Sequence, residues 1–261
     1  VNPTPLPPLS PGGEFAVPAD EDAYRASRLP ECRRQLRVIF LAGAVLNGLF
    51  LISDARFYGD SRFGAAVAAR SVIILASLAG MARTARQPDF KALQRLACLW
   101  GVPVIAACAV LLHRATDLAL FITGILPVVF YLALPIGFRA AVTLGVGCSA
   151  ATLAAYLAGN PRSGSSLGLL LGMATINTVM ALVVARINRL QRLEWQATRA
   201  AEQANAALVQ DLARREELEA DLRRLAATDP LTGLANRARF FAQAAAEVGR
   251  AQRYGQPLSV V

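Results

Sequence analysis

LGLLLGMATINTVMALVVARINRLQRLE, residues 167–194, changes character in its middle. Up to Ala185 it is an apolar run of about 19 residues, the length that crosses the hydrocarbon of a bilayer. From Arg186 the composition turns to Ala, Leu, Arg and Glu, with neither Gly nor Pro as far as Ala227. One helix is therefore predicted to leave a membrane and continue over 186–227, about 42 residues or roughly 63 Å at 1.5 Å per residue. Eight basic and seven acidic residues on this segment imply a solvated, salt-bridged exterior.

Every third and fourth residue traces a seam that is apolar at its ends (Ile187, Leu190; Leu218, Leu222, Leu225) and small in its middle (Ala197, Ala201, Ala204). Asp211 and Arg215 interrupt it, and Leu212 after Leu208 shifts the register as a stutter would. Two readings follow: a solvent-exposed spacer, or a parallel homodimeric coiled coil whose competing registers carry a signal. The second is the expectation adopted.

Upstream, composition decides the class. The chain is 55% apolar and 17% charged, with a mean hydropathy of +0.42, too oily for a soluble globule of this length. Six spans are expected, at about 37–53, 64–82, 96–113, 117–135, 140–158 and 167–185. If the N-terminus is inside, the loops on its side carry thirteen basic residues, and the opposite side carries Arg56, Arg62, Arg114 and Arg162. That bias places both ends in the cytoplasm of a multi-pass protein of a bacterial inner membrane. The net charge of +9 is thus a matter of topology, and no nucleic-acid partner is expected.

The expected organisation is a disordered cytoplasmic tail over 1–36, a six-span sensor over 37–185, a signalling helix over 186–227, and a further segment over 228–261. The tail is rich in Pro and acidic residues and has no apolar stretch of signal-peptide type. Val1 in place of Met and Val261 within an apolar run suggest a fragment, at least at the C-terminus. Cys32, Cys98, Cys108 and Cys148 lack metal-ligand spacing and read as small core residues.

Within the spans, Arg70 and His113 are the candidate sensory residues. Arg70 has two readings: a snorkelling side chain, or one that faces the bundle to bind an anionic signal or pair with Asp54 or Asp60. His113 stands at a span boundary, as an interfacial side chain or a pH or metal sensor. Asn47 and Asn177 are predicted to form interhelical hydrogen bonds, and Pro103 and Pro127 to kink their helices.

Downstream lies DPLTGLANR, residues 229–237. Thr228 or Asp229 can cap a helix with Pro230 as its first residue, Gly233 permits a tight turn, and Asn236 can cap a second helix. From Arg237, Phe240, Phe241, Ala244 and Val248 recur at helical spacing until Tyr254-Gly255. Residues 257–261, PLSVV, open like a buried strand.

That order resembles the opening of the GGDEF domain of diguanylate cyclases. The family pattern is close to D-x-L-T-G-L-x-N-R-R. Asp229, Leu231, Thr232, Gly233, Leu234, Asn236 and Arg237 match it, and Ala238 replaces the second arginine. The resemblance covers roughly the last 35 residues. With the spans and the long helix read above, the expected fold is mainly α: a six-helix transmembrane bundle, a long signalling coiled-coil helix and, as the resemblance implies, the first helix and strand of an incomplete α/β GGDEF domain. The resemblance also implies a dimer in which two GTP molecules, each held with Mg²⁺ or Mn²⁺, join into cyclic di-GMP. The matched residues are scaffold. The family's metal-binding carboxylates and its signature loop fall beyond Val261, so no catalytic or metal-binding residue is expected in this chain and it should be inactive as it stands.

Other readings are a degenerate domain acting as a GTP or cyclic di-GMP receptor, and a transporter-like module, against which no internal repeat is seen. A sensor kinase is disfavoured because His113 is the only histidine.

Overall fold

A computed structural model of the chain describes residues 8–55, 58–112, 118–159, 166–229 and 231–259. It divides into two compact units, Val1–Trp195 and Gln196–Val261. The helices are α1 (Pro18–Asp54), α2 (Ser61–Thr84), α3 (Phe90–Leu112), α4 (Leu118–Leu132), α5 (Phe138–Gly159), α6 (Ser166–Ala227) and α7 (Arg237–Tyr254). There is no sheet among the described residues, only the isolated bridges Leu9–Phe15 and Thr228–Ala235.

Among the described residues five helices, α1, α2, α3, α5 and α6, are long and apolar enough to cross a membrane. Between 11% and 39% of each one's most apolar stretch is buried inside the protein. Leu41, Leu46, Leu49 and Ile52 of α1, and Leu167, Leu170, Leu171 and Leu182 of α6, are exposed. An apolar exterior of that extent is untenable in water and suits lipid.

Of the six expected spans, five are matched by these helices and the fourth only in part. Helix α4 has 15 residues, about 22 Å at 1.5 Å per residue and short of a hydrocarbon core of about 30 Å. It ends at Leu132 because Pro135 disfavours helical geometry in the residue before it and offers no N–H to continue the ladder. The linker to α3, residues 113–117, lies outside the described residues.

Helix α1 packs on α2, α2 on α3, α3 on α5, and α4 on α5; α6 is not among the closely packed helix pairs. An aromatic ladder runs through the core, with Phe40 and Trp100 ring centroids 5.2 Å apart and Trp100 and Phe130 6.2 Å apart. Trp100 Nε1 donates to Ser77 Oγ at 3.0 Å, so its one polar atom is satisfied. Lipid tails are as apolar as leucine, so burial alone does not drive these helices together; close packing does. Gly80 shows this, because a Cβ there would lie 2.7 Å from the Phe40 ring.

The two asparagines bond across helices as predicted. Asn177 Oδ1 accepts from Tyr131 Oη at 3.0 Å, and its Nδ2 donates to Ser149 Oγ at 2.7 Å. Asn47 accepts from Arg70 Nη1 at 3.3 Å. The four cysteines form no disulfide.

The N-terminal segment departs from expectation. Residues 8–36 are not a disordered tail. Leu9 and Phe15 close a small loop, and α1 starts at Pro18, long before its apolar stretch. The signals are local: a proline at the helix start and Asp20 and Glu21 in the first turn, which suit the positive end of the helix dipole.

In the second unit, α6 ends at Ala227 and α7 begins at Arg237, where the sequence predicts the break. Gly255 closes α7 in the left-handed conformation at φ 63°, its N–H bonded to Ala251 O. Residues 257–259 form no strand. A single strand has no neighbour to take up its backbone donors and acceptors, so an apolar pattern alone cannot make one. Val260 and Val261 lie outside the described residues.

Candidate functional site

The described residues of DPLTGLANR, Asp229 and 231–237, build one closed turn. Asp229 N donates to Leu234 O at 2.8 Å, Gly233 N to Asp229 O at 2.9 Å, and Asn236 N to Ala227 O at 3.0 Å. Thr228 and Ala235 bridge across its base. Asp229 Oδ1 accepts three bonds, from Leu231 N at 3.0 Å, Thr232 N at 3.0 Å and Thr232 Oγ1 at 3.1 Å. The backbone N–H of Thr232 first, then its hydroxyl and the Leu231 N–H, hold the Asp229 carboxyl below its ordinary value. Gly233 has φ 70°, a left-handed conformation that a side chain disfavours.

Asn236 serves both sides of the turn. Its Oδ1 accepts from Arg239 N at 3.0 Å and caps α7, while its Nδ2 donates to Ala226 O at 2.6 Å. Asp229 starts no helix, contrary to expectation. Its carboxylate is taken up by the N–H groups two and three residues on, which makes a turn rather than a helical cap. Pro230 lies outside the described residues.

The apolar motif residues are unsatisfied. Leu231 is 93% and Leu234 70% exposed, and α7 has no buried residue. Arg237 lies over the Phe241 ring at 5.8 Å, beside the exposed Phe240. The turn is thus shaped by its polar residues and glycine alone.

In the first unit, Arg70 is drawn inward rather than out to solvent. It pairs with Asp54 through Nε and through Nη2 at 3.4 Å, and its guanidinium lies 4.7 Å from the centre of the Phe50 ring. The two side chains are 14% and 10% exposed. Of the alternatives raised for Arg70, the structure gives the pair with Asp54, at the end of the bundle where α1 stops and α2 starts. A charged pair of this kind is tolerated in an apolar setting because each partner satisfies the other. His113 lies outside the described residues.

The most connected polar cluster lies at the other end of α1, among residues that sequence reasoning passed over. Glu21 accepts from Arg192 Nε at 2.9 Å and Nη2 at 2.6 Å, from Arg25 Nε at 2.8 Å, and from Phe15 N at 3.0 Å. Burial pushes its carboxyl up, but the Arg192 bond, the Phe15 N–H and the two guanidinium charges outweigh it and hold it below its ordinary value. Tyr24, under Arg192 at 4.5 Å, is pushed up by burial. Phe15, Tyr24 and Trp195 pack ring to ring at 5.7 to 6.2 Å. These contacts explain why the first compact unit runs to Trp195 rather than to Ala185. The sequence held a cue in Glu21 and Arg25, four apart on one helix face, but nothing local links Glu21 to Arg192.

A cavity of about 190 Å³ borders this cluster, lined among others by Arg25, Arg28, Glu31, Cys32, Gly137 and Gln191. Among the described residues no three His, Cys, Asp or Glu side chains gather as they would around a metal. No family model, curated protein or solved structure matches the chain.

Proposed function

We propose that this chain is the sensing and transmitting part of a membrane-bound signalling protein whose C-terminal unit opens a diguanylate cyclase domain. The observation that carries this reading is the Asp229–Arg237 turn at the end of α6. The motif's Asp, Thr, Gly and Asn each have a structural role in it, closing the turn or capping the next helix. The exposed Leu231, Leu234, Phe240 and Phe241 supply the apolar surface on which the rest of such a domain would fold.

In this reading the spans lie in a bacterial inner membrane with both ends cytoplasmic, as the loop charges favour. A small molecule or a property of the membrane acts on the bundle. Helix α6 relays the change, and two copies meet through 186–227 to bring two GTP-binding domains face to face. The dimer would set the effective concentration of the two half-sites. Mg²⁺ or Mn²⁺ would be held by residues beyond this chain and would polarise the attacked phosphate.

The test uses the full-length gene product in lipid nanodiscs with GTP and Mg²⁺. Formation of cyclic di-GMP with release of pyrophosphate is the expected result. GTP or cyclic di-GMP binding without turnover would replace it by the receptor reading, and neither binding nor turnover would overturn both. Asp211 and Arg215 form an exposed i,i+4 pair at 2.9 Å in the interrupted seam. Changing both to Leu should fix one register and abolish the response to signal; an unchanged response removes the register-switch idea.

A further inference from the structure

We infer that residues 12–25 form a latch that holds α6 in one axial and rotational position where it leaves the bundle. The inference does not depend on what the C-terminal unit does. Helix α6 is not among the closely packed helix pairs, and its most apolar stretch is the least buried of the five spans at 11%. At its exit, by contrast, it is gripped. Arg192 and Glu21, 5% and 7% exposed, form a two-pronged pair that fixes the guanidinium plane as well as its position. Arg192 Nη1 returns to Asn188 O at 3.1 Å, so the side chain has little freedom to follow a helix that turns. Asn188 Nδ2 donates to Gly12 O at 3.1 Å.

Gly13 lies directly on the helix backbone. Its φ is +77°, and a Cβ there would meet Ala185 O at 2.2 Å and Arg189 N at 2.7 Å. A sliding or rotating α6 would therefore lose both the close approach at Gly13 and the pair at Arg192.

The latch also reaches the bundle. Glu14 Oε1 accepts from Phe138 N, the first residue of α5, at 3.1 Å and from Arg25 Nη2 at 3.1 Å. Arg25 in turn bonds Glu21. The start of α5 is thus linked to α6 through Glu14, Arg25, Glu21 and Arg192. Apart from the bond of Asn177 to Ser149, this network is the polar link between α5 and the exit of α6 among the described residues. Such a buried charged network is an arrangement with few alternatives: complete it specifies one geometry, and with one member removed it opens.

The test compares Glu21→Gln and Glu21→Gln/Arg192→Met with the parent chain in nanodiscs by amide hydrogen exchange. In Glu21→Gln, which leaves Arg192 only the 4.0 Å ion contact with Glu14, exchange at residues 9–16 and at 186–193 should rise together by about tenfold or more, with α2 and α3 unchanged. The double variant, which leaves no unpaired charge, should return both segments most of the way. Three results would overturn the latch: no change at 9–16, a rise at 9–16 without one at 186–193, or a rise that extends to α2 and α3. A Gly13→Ala variant gives a second reading free of charge effects and should raise the same two segments.

Discussion

The Asn236 side chain spans the break between α6 and α7, donating to Ala226 O at 2.6 Å while accepting from Arg239 N at 3.0 Å. One residue thus ends one helix and begins the next. Asn236→Asp keeps the acceptor and loses the donor, whereas Asn236→Ala loses both. The alanine variant should destabilise the start of α7 by about 1 kcal/mol, seen as faster amide exchange at Arg239 and Phe240. The aspartate variant should keep Arg239 protected and free only the Ala226 side. Equal effects would mean that the cap and the bridge are not separate.

Gly233 at φ 70° has nothing near enough to clash with a methyl group, so only backbone conformation opposes a side chain there. Gly233→Ala should cost about 1–2 kcal/mol, and Gly233→Asn distinctly less, because asparagine tolerates the left-handed region. Thermal unfolding of the turn, followed in NMR through the Asp229 amide that donates to Leu234 O, separates the two. Equal losses would show that the turn does not depend on the φ of this residue.

Asp229 makes the turn sensitive to acid. Its folded carboxyl lies below the ordinary aspartate value of 3.8 because it accepts the Thr232 and Leu231 bonds. The sign follows: the stabilising contribution is complete above 3.8 and is lost as the pH falls through the lower folded value. The amide shifts of Leu231 and Thr232 should therefore titrate together with a midpoint below 3.8. Asp229→Asn should flatten both curves, and a midpoint at or above 3.8 would contradict the bonding described.

How much of this was legible in advance depended on range. The breaks at Ala227 and Asn236 rest on Gly233, Asn236 and the residues beside them, and such signals can be read along the chain. The membrane character of the bundle was equally plain, since apolar runs near 20 residues have few other uses. The end of α4 at Leu132 is less plain, because the apolar pattern runs on to Leu134 and composition does not mark the stop. The Glu21–Arg192 pair, 171 positions apart, has no local signature, so residues that look like a polar tail proved to be a packed collar. Arg70 was singled out by its charge in an apolar run, but only folding could choose Asp54 as its partner.

That partner decides what replacing Arg70 does. Removing the guanidinium strands the Asp54 carboxylate, which is only 10% exposed, at a cost of roughly 3–5 kcal/mol. Arg70→Met should therefore lower the thermal midpoint in nanodiscs, and Asp54→Asn/Arg70→Met should recover most of the loss. If the double variant is no better than the single, the pair is not what Arg70 contributes. Unchanged ligand-dependent output from the full-length Arg70→Ala protein would separately remove its sensory role.

Two glycines on α5 give opposite expectations from one substitution. In a helix, Gly→Ala normally stabilises by about 0.8–1 kcal/mol. Gly147 has nothing within 4 Å of a new Cβ, so Gly147→Ala should show that gain. At Gly145 the same Cβ would lie 2.1 Å from the Tyr131 ring, and overpacking of that kind typically costs about 1–3 kcal/mol. The ring cannot simply swing away, because Tyr131 Oη is bonded to Asn177 of α6. The clash should outweigh the propensity gain, so Gly145→Ala lowers the thermal midpoint while Gly147→Ala raises it. Gly145→Ala/Tyr131→Leu relieves the clash and should recover stability relative to Gly145→Ala, less the lost Asn177 bond. Equal midpoints for the two single variants would show that α5 and Tyr131 are not in the contact described.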